Sequence, residues 1–307
     1  MTVLRPSVVL LATFLAGCAA SGVDASGIDA SGVDASGVGV AASGGLRLDD
    51  AVALAASDDG TLWVVDAGTS TVVAFRDSAV VRQLGGAGTG AEALLDPVDV
   101  DPTNGLAIFV ADRAAGEVVQ FTDEGRVAAR FVVPDVDPDR PTRQPAGALR
   151  DGARGQPLAV AAGADGTLFV IDDGRRHVVQ LSAEGDVERV LGADTLVDPV
   201  DLALTNDGVL WVVDAGRSAV RPIERFGDMG PPLPVADIGR LQRVEATPTG
   251  VLVTGLDGIV RLTRRGTTRL GPFPPAPLRA AVEVPEGLAV LTPQELRVVP
   301  IPPGMDR

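Results

Sequence analysis

From residue 45 onward, short apolar runs alternate with clusters of glycine, aspartate and asparagine. Runs of this length, bounded by turn residues, predict β-strands. The first group parses as Ala51–Ala55, Leu62–Asp66, Thr71–Phe75 and Val80–Leu84, taken from the innermost strand outward. Second runs such as Leu62–Asp66 are apolar almost without a break, as expected where neighbouring layers cover both faces of a strand. Arg126–Phe131 and Asp186–Leu191 carry more charge and read as outer strands. No long amphipathic helical stretch follows the N-terminal segment.

The grouping repeats. Gly60-Thr-Leu-Trp-Val-Val-Asp66-Ala-Gly68 is matched by segments opening at Gly105, Gly166 and Gly208, with aspartates at Asp112, Asp172 and Asp214. In each, a valine follows six residues beyond the aspartate: Val72, Val118, Val178 and Val220. Weaker copies begin at Gly250 and Gly287. Six copies over this span give about 43 residues per unit, a period typical of propeller blades. The expected fold is all-β, a six-bladed β-propeller over residues 45–307 with four-stranded blades. The sixth unit supplies Ala280–Val284, Leu288–Leu291 and Leu296–Ile301 and has no fourth run. An open ring would leave unpaired edges. Residues near Leu46-Arg47-Leu48 are therefore expected to complete the last blade as an N-terminal strand.

Three motifs carry a family likeness. Pro97-Val-Asp-Val-Asp101 and Pro199-Val-Asp-Leu-Ala203 open units two and four. The Leu-Trp-Val-Val-Asp-Ala-Gly runs follow in units one and four, and Gly85-Gly-Ala-Gly-Thr-Gly90 links two units. Together these resemble the NHL-repeat β-propellers over residues 46–301, most fully in the first four units. The family's Asn-His-Arg triplet is replaced by Arg175-Arg176-His177 and Arg217-Ser218-Ala219. The resemblance implies the fold and no particular activity.

The N-terminal segment sets location. Arg5 precedes the apolar run Val8–Phe14, and Leu15-Ala16-Gly17 leads to Cys18, the single cysteine. The run is too short to span a bilayer and reads as a secretory signal peptide over residues 1–17. Leu-Ala-Gly-Cys resembles the lipobox of bacterial lipoproteins, which implies cleavage before Cys18 and lipidation of its thiol. Residues 18–44 contain repeated Ala-Ser-Gly-Val-Asp units and read as a flexible tether. With its only thiol lipidated, the domain has no disulfide and rests on packing and hydrogen bonds. The expected location is the cell envelope, with the outer membrane favoured because Ala19 is not an acidic retention signal.

Composition narrows the chemistry. The formal net charge is −15, and every basic residue is arginine. Both nucleic acid and anionic membrane surfaces attract positive fields, so neither is an expected partner. Contact with membrane is expected through the lipid alone, and the protein is expected to be a monomer with an envelope protein partner. Tyrosine is absent, which removes the usual platform for stacking flat cofactors or sugars. Trp63 and Trp211 hold equivalent second-strand positions and read as core.

Candidate site residues gather at one mouth of the channel. Asp99 and Asp201 begin innermost strands, and Arg243 and Arg279 stand near the corresponding places in units five and six. Their functional reading is a polar ligand or a divalent cation such as calcium, which takes six to eight oxygens. The alternative is ion-paired residues filling a wet channel; no cofactor is otherwise expected. Asp66, Asp112, Asp172, Asp214 and Asp257 are expected to bind backbone N–H groups of the turns after them. His177, the sole histidine, reads as a surface turn residue, and without a second histidine no catalytic residue is assigned. The insertion Pro134–Gln156 is expected on the channel-mouth face, as a cap or a partner contact, with a disordered decoration as the alternative. The function expected is a non-catalytic protein-binding or scaffold module. The alternative is a metal-dependent lactonase similar to the gluconolactonase propellers, with Asp99, Asp201 and Asn206 as nearest candidates.

Overall fold

The computed structural model describes residues 48–102, 106–137, 154–263, 266–271, 273 and 277–301. The chain divides into two units, residues 1–35 and 36–307, and every blade belongs to the second. The signal peptide, Cys18 and the tether up to residue 44 lie outside the described residues, as do Leu46, Arg47 and residues 138–153.

Blade one contains β1 (Ala51–Ala56), β2 (Leu62–Asp66), β3 (Thr71–Arg76) and β4 (Ala79–Gly85). Blade two contains β5 (Pro97–Asp101), β6 (Ala107–Asp112), β7 (Glu117–Thr122) and β8 (Val127–Val132). Blade three contains β9 (Pro157–Ala162), β10 (Leu168–Asp172), β11 (His177–Leu181) and β12 (Val187–Leu191). Blade four contains β13 (Pro199–Leu204), β14 (Leu210–Asp214), β15 (Ala219–Ile223) and β16 (Leu233–Pro234). Blade five contains β17 (Leu241–Thr247), β18 (Gly250–Gly255), β19 (Gly258–Thr263) and β20 (Gly266–Leu270). Blade six contains β21 (Ala280–Val284), β22 (Gly287–Leu291) and β23 (Leu296–Val299). Each is an antiparallel sheet in sequence order, so among the described residues five sheets have four strands and the last has three. The fourth strand of blade four is only two residues long. Pro231, Pro232 and Pro234 lack the N–H groups that would extend its ladder.

Burial follows the expected order. All of β2, β14 and β22 is buried, whereas β4 and β20 are exposed over most of their length. The core is a series of wedges between consecutive blades. Trp63, Val65, Val110 and Phe121 pack between blades one and two. Val118, Val133, Val170 and Leu181 fill the next gap. Ile171, Val178, Leu210 and Val212 join blades three and four, and Trp211, Val213, Val251 and Val253 join four and five. Leu252, Ile259, Leu288 and Val290 join five and six. Each fully buried side chain of this size contributes about 1.5–3 kcal/mol.

The ring closes through a sixth wedge. Leu48, Ala51, Leu54 and Val73 pack with Ala280, Ala289, Leu291 and Leu296. The Ala51 N–H also bonds to the Pro293 carbonyl at 2.8 Å. Leu48 is buried here without belonging to a strand, and Leu46 and Arg47 of the expected closing strand lie outside the described residues.

Candidate functional site at the channel

Five of the six innermost strands carry a register shift near their start. It falls between Ala51 and Ala53, Pro97 and Asp99, Pro199 and Asp201, and Leu241 and Arg243, and in blade three opposite Ile171 and Asp172. A bulge adds twist and re-aims the next side chain. Asp99, Asp201 and Arg243 each follow their own shift, at one level of the ring.

The structure brings these three together. Arg243 Nη1 donates to Asp99 Oδ1 and to Asp201 Oδ1, each at 3.0 Å. Its Nη2 donates to the Val98 carbonyl at 2.8 Å and to the Val52 carbonyl at 3.1 Å. The remaining carboxylate oxygens accept backbone N–H groups of the next blade: Asp99 Oδ2 from Val160 at 2.8 Å, and Asp201 Oδ2 from Val244 at 2.6 Å. One guanidinium thus joins four blades across the channel. Arg279 is placed elsewhere. Its Nη2 lies 3.5 Å from Asp50 Oδ1, just before blade one, and it is not part of the bridge among the other three.

The electrostatics follow from two acids sharing one cation in a desolvated place. Burial pushes the Asp99 carboxyl up to about 8, with Arg243 opposing the rise and Asp201 adding to it. Asp201 is also raised, by burial above all, against the pull of Arg243. Burial works against the charge on Arg243, but Asp201 and Asp99 outweigh it and hold its pKa above the ordinary arginine value.

The second-strand aspartates are architectural. Asp66 accepts the N–H groups of Asp49 and Asp50 at 3.0 Å and of Gly68 at 3.1 Å. Asp112 binds Leu95 and Asp96, Asp172 binds Gln156 and Gly174, and Asp214 binds Val197 and Asp198 in the same manner. The turn N–H bonds expected from sequence are present at Gly68 and Gly174. The same carboxylates also reach sixteen or seventeen residues back and fix where each innermost strand begins. Asp257 ends no second strand; it comes after β18 in a tight turn, where its N–H bonds to the Ile238 carbonyl at 2.9 Å.

His177 corrects its reading as a surface turn residue. It opens β11 opposite Asp172 and is fully buried. A strand ladder and covering blades enclose it although its sequence neighbours are polar. Among the described residues, neither ring nitrogen has a hydrogen-bond partner, and Asp172 Oδ2 likewise has none. Burial lowers the His177 pKa, Asp172 and Asp135 pull it back up, and Arg175 lowers it further. The described start of the insertion is anchored nearby, where Arg175 binds Asp135, and Pro134 bridges to Arg154.

Beyond the Arg243 level the channel widens into a cavity of about 960 Å³. It opens on the face of the loops that join first and second strands, where Asp165, Asn206 and Asp207 lie. Asp101 and Glu245 line its inner part. Asp101 Oδ2 accepts the Ala162 N–H at 2.7 Å. Glu245 is raised well above the ordinary glutamate value, by burial first and then by Asp101, Asp201 and Asp99. Sequence reading missed Glu245. The available signal was its position two residues beyond Arg243 on the same strand. Among the described residues, no group of three or more His, Cys, Asp or Glu side chains is placed to hold a metal ion.

Neither a family model nor a curated protein sequence matches this chain. Solved structures match its fold. A streptogramin B lyase structure superposes with a TM-score of 0.59 at 13% identity, covering 81% of this chain and 78% of that one. A catalytically inactive histidine-to-alanine variant of virginiamycin B lyase from Staphylococcus aureus, with quinupristin, gives 0.57 at 14% identity over 81% and 94% of the two chains. U3-55K gives 0.58 at 11% identity over 83% and 84%. At these identities the likeness establishes the β-propeller fold.

Proposed function

We propose that this chain is a lipid-anchored β-propeller of the bacterial cell envelope, built from NHL-type repeats, that serves as a non-catalytic protein-binding or scaffold module. The observation that carries this reading is the use of the four Asp99 and Asp201 oxygens. Two meet Arg243 and two meet backbone N–H groups of the adjoining blades. Carboxylates engaged in this way hold blades together, and each of the four oxygens already accepts from a donor of the protein. Lyase chemistry finds no support either. The inactive histidine-to-alanine variant shows that the Staphylococcus enzyme depends on a histidine. The single histidine here is enclosed in blade three.

The anchor rests on Leu15-Ala16-Gly17-Cys18 and the tether behind it. Several acyl chains together make such an anchor stable, at about 0.8 kcal/mol per buried CH₂. The test has two arms. Cys18→Ala is expected to move the protein from the membrane to the soluble fraction; retention in the membrane refutes the anchor. Purified protein supplied with calcium, magnesium or zinc is expected to leave aldonolactones unhydrolysed. Turnover that disappears in both Asp99→Asn and Asp201→Asn refutes the non-catalytic reading.

A further inference from the structure

The inner strands place a column of side chains along the channel. Pairing of β17 with β18 is regular from Arg243 to Thr247. Side chains alternate along a strand, so Arg243, Glu245 and Thr247 project to one face. By the same alternation Asp101 stands one step beyond Asp99 on β5. The first level of this column, Arg243 with Asp99 and Asp201, contains its own cation. The charged groups acting most strongly on Glu245 at the second level are carboxylates. Residues of both levels line the cavity.

Two further oxygens point to an occupant. Thr247 and Gln180 line the cavity and are each more than nine-tenths buried. Among the described residues, Thr247 Oγ1 and Gln180 Oε1 have no hydrogen-bond partner. Buried polar atoms left in this state cost about 1–3 kcal/mol each, and a ligand that donates to them removes the cost. Phe169 and Leu204 supply apolar wall to the same space. Its volume lies within the range of about 300–1,000 Å³ typical of small-molecule sites.

We propose that this cavity binds a small organic cation, with an ammonium or guanidinium group seated against Glu245 and Asp101 and its body extending toward Thr247 and Gln180. The inference goes beyond the scaffold reading and does not depend on it. An organic cation is favoured over a metal ion by the size of the space and by its mixed polar and apolar walls. It is favoured also because, among the described residues, no group of three or more His, Cys, Asp or Glu side chains is placed to hold a metal ion.

Binding is coupled to a proton. The groups facing Glu245 are Asp99 and Asp101 on β5, Asp201 on β13 and the Ala56 N–H, which bonds to it from β1. Arg243, on its own strand, is engaged by the two first-level aspartates. In the empty cavity Glu245 therefore keeps its proton to a higher pH than an ordinary glutamate. When the cation enters, that proton leaves to solvent and the carboxylate remains as the counter-ion.

Titration calorimetry on the purified full-length protein tests this, using agmatine and spermidine in two buffers of different ionisation enthalpy, with calcium chloride in parallel. The expected result is saturable binding of at least one amine, proton release to the buffer and affinity that increases with pH. Glu245→Gln, verified as folded by circular dichroism, is expected to weaken binding at least about tenfold; Asp101→Asn serves if the first variant does not fold. Absence of saturable amine binding, binding unchanged in the folded variant, or binding of calcium alone overturns the proposal.

Discussion

Replacing Arg243 with methionine tests the energetic importance of the channel bridge. The side chains of Arg243, Asp99 and Asp201 are only 16%, 10% and 5% exposed, which puts the bridge in the buried regime. Exposed ion pairs contribute about 0–1 kcal/mol. Removing one partner of a buried pair costs about 3–5 kcal/mol, because a charge is left without compensation. The carbonyls of Val52 and Val98 lose a donor as well. For a domain of this size the loss corresponds to a fall in Tm of roughly 6–20 °C. The cause is separated from simple loss of packing by adding Asp99→Asn and Asp201→Asn to Arg243→Met. Asparagine keeps an acceptor for the Val160 and Val244 N–H groups while removing the charge, so the triple variant should recover most of the loss. Urea unfolding followed by the fluorescence of the buried Trp63 and Trp211 measures each variant. A loss below about 1 kcal/mol for Arg243→Met, or a triple variant no better than the single, refutes the reasoning.

Asp214→Ala leaves the Val197 and Asp198 N–H groups without their acceptor and should cost about 2–3 kcal/mol, whereas Glu124→Ala removes an exposed pair with Arg126 and should cost under about 1; equal losses in urea unfolding would refute the difference. Asp99 has its pKa raised from 3.8 to about 8, so the folded state binds its proton more tightly than the unfolded chain. That contribution is complete below 3.8 and lost as pH rises toward 8, so Asp99→Asn should flatten the decline in stability over this window. His177 has the opposite sign. Its pKa is lowered from 6.5 by burial, so its contribution is lost as pH falls below 6.5. His177→Phe should raise stability by about 1–2 kcal/mol and soften that acid-side loss; an unchanged acid limb would refute its burial as a neutral ring.

The repeat made much of this architecture legible. Gly-x-Leu-Trp-Val-Val-Asp has the composition of a strand covered on both faces, and its recurrence set the blades. Asp99, Asp201 and Arg243 were readable because each stands near the head of an innermost strand. Arg279 has the same rough position in sequence, but its guanidinium pairs with Asp50. Glu245 was hidden for two reasons. Blade five has lost the Pro-Val-Asp opening, and depth along a channel depends on how six strands are staggered across the ring. His177 was misread because Arg175-Arg176 before it looks like a solvated turn, and local polarity does not report which blade packs over a strand's first residue. The cavity is likewise a property of closure, assembled from residues of every blade.

Both channel carboxylates, Asp99 and Asp201, are taken up by Arg243 and by neighbouring backbone, and the non-catalytic reading depends on that engagement. Its most direct test is a crystal structure of the protein grown with calcium, with anomalous scattering used to locate the ion. The guanidinium is expected to lie between both carboxylates, with no ion on either. Density for an ion ligated by Asp99 and Asp201, with Arg243 turned away, would contradict the claim.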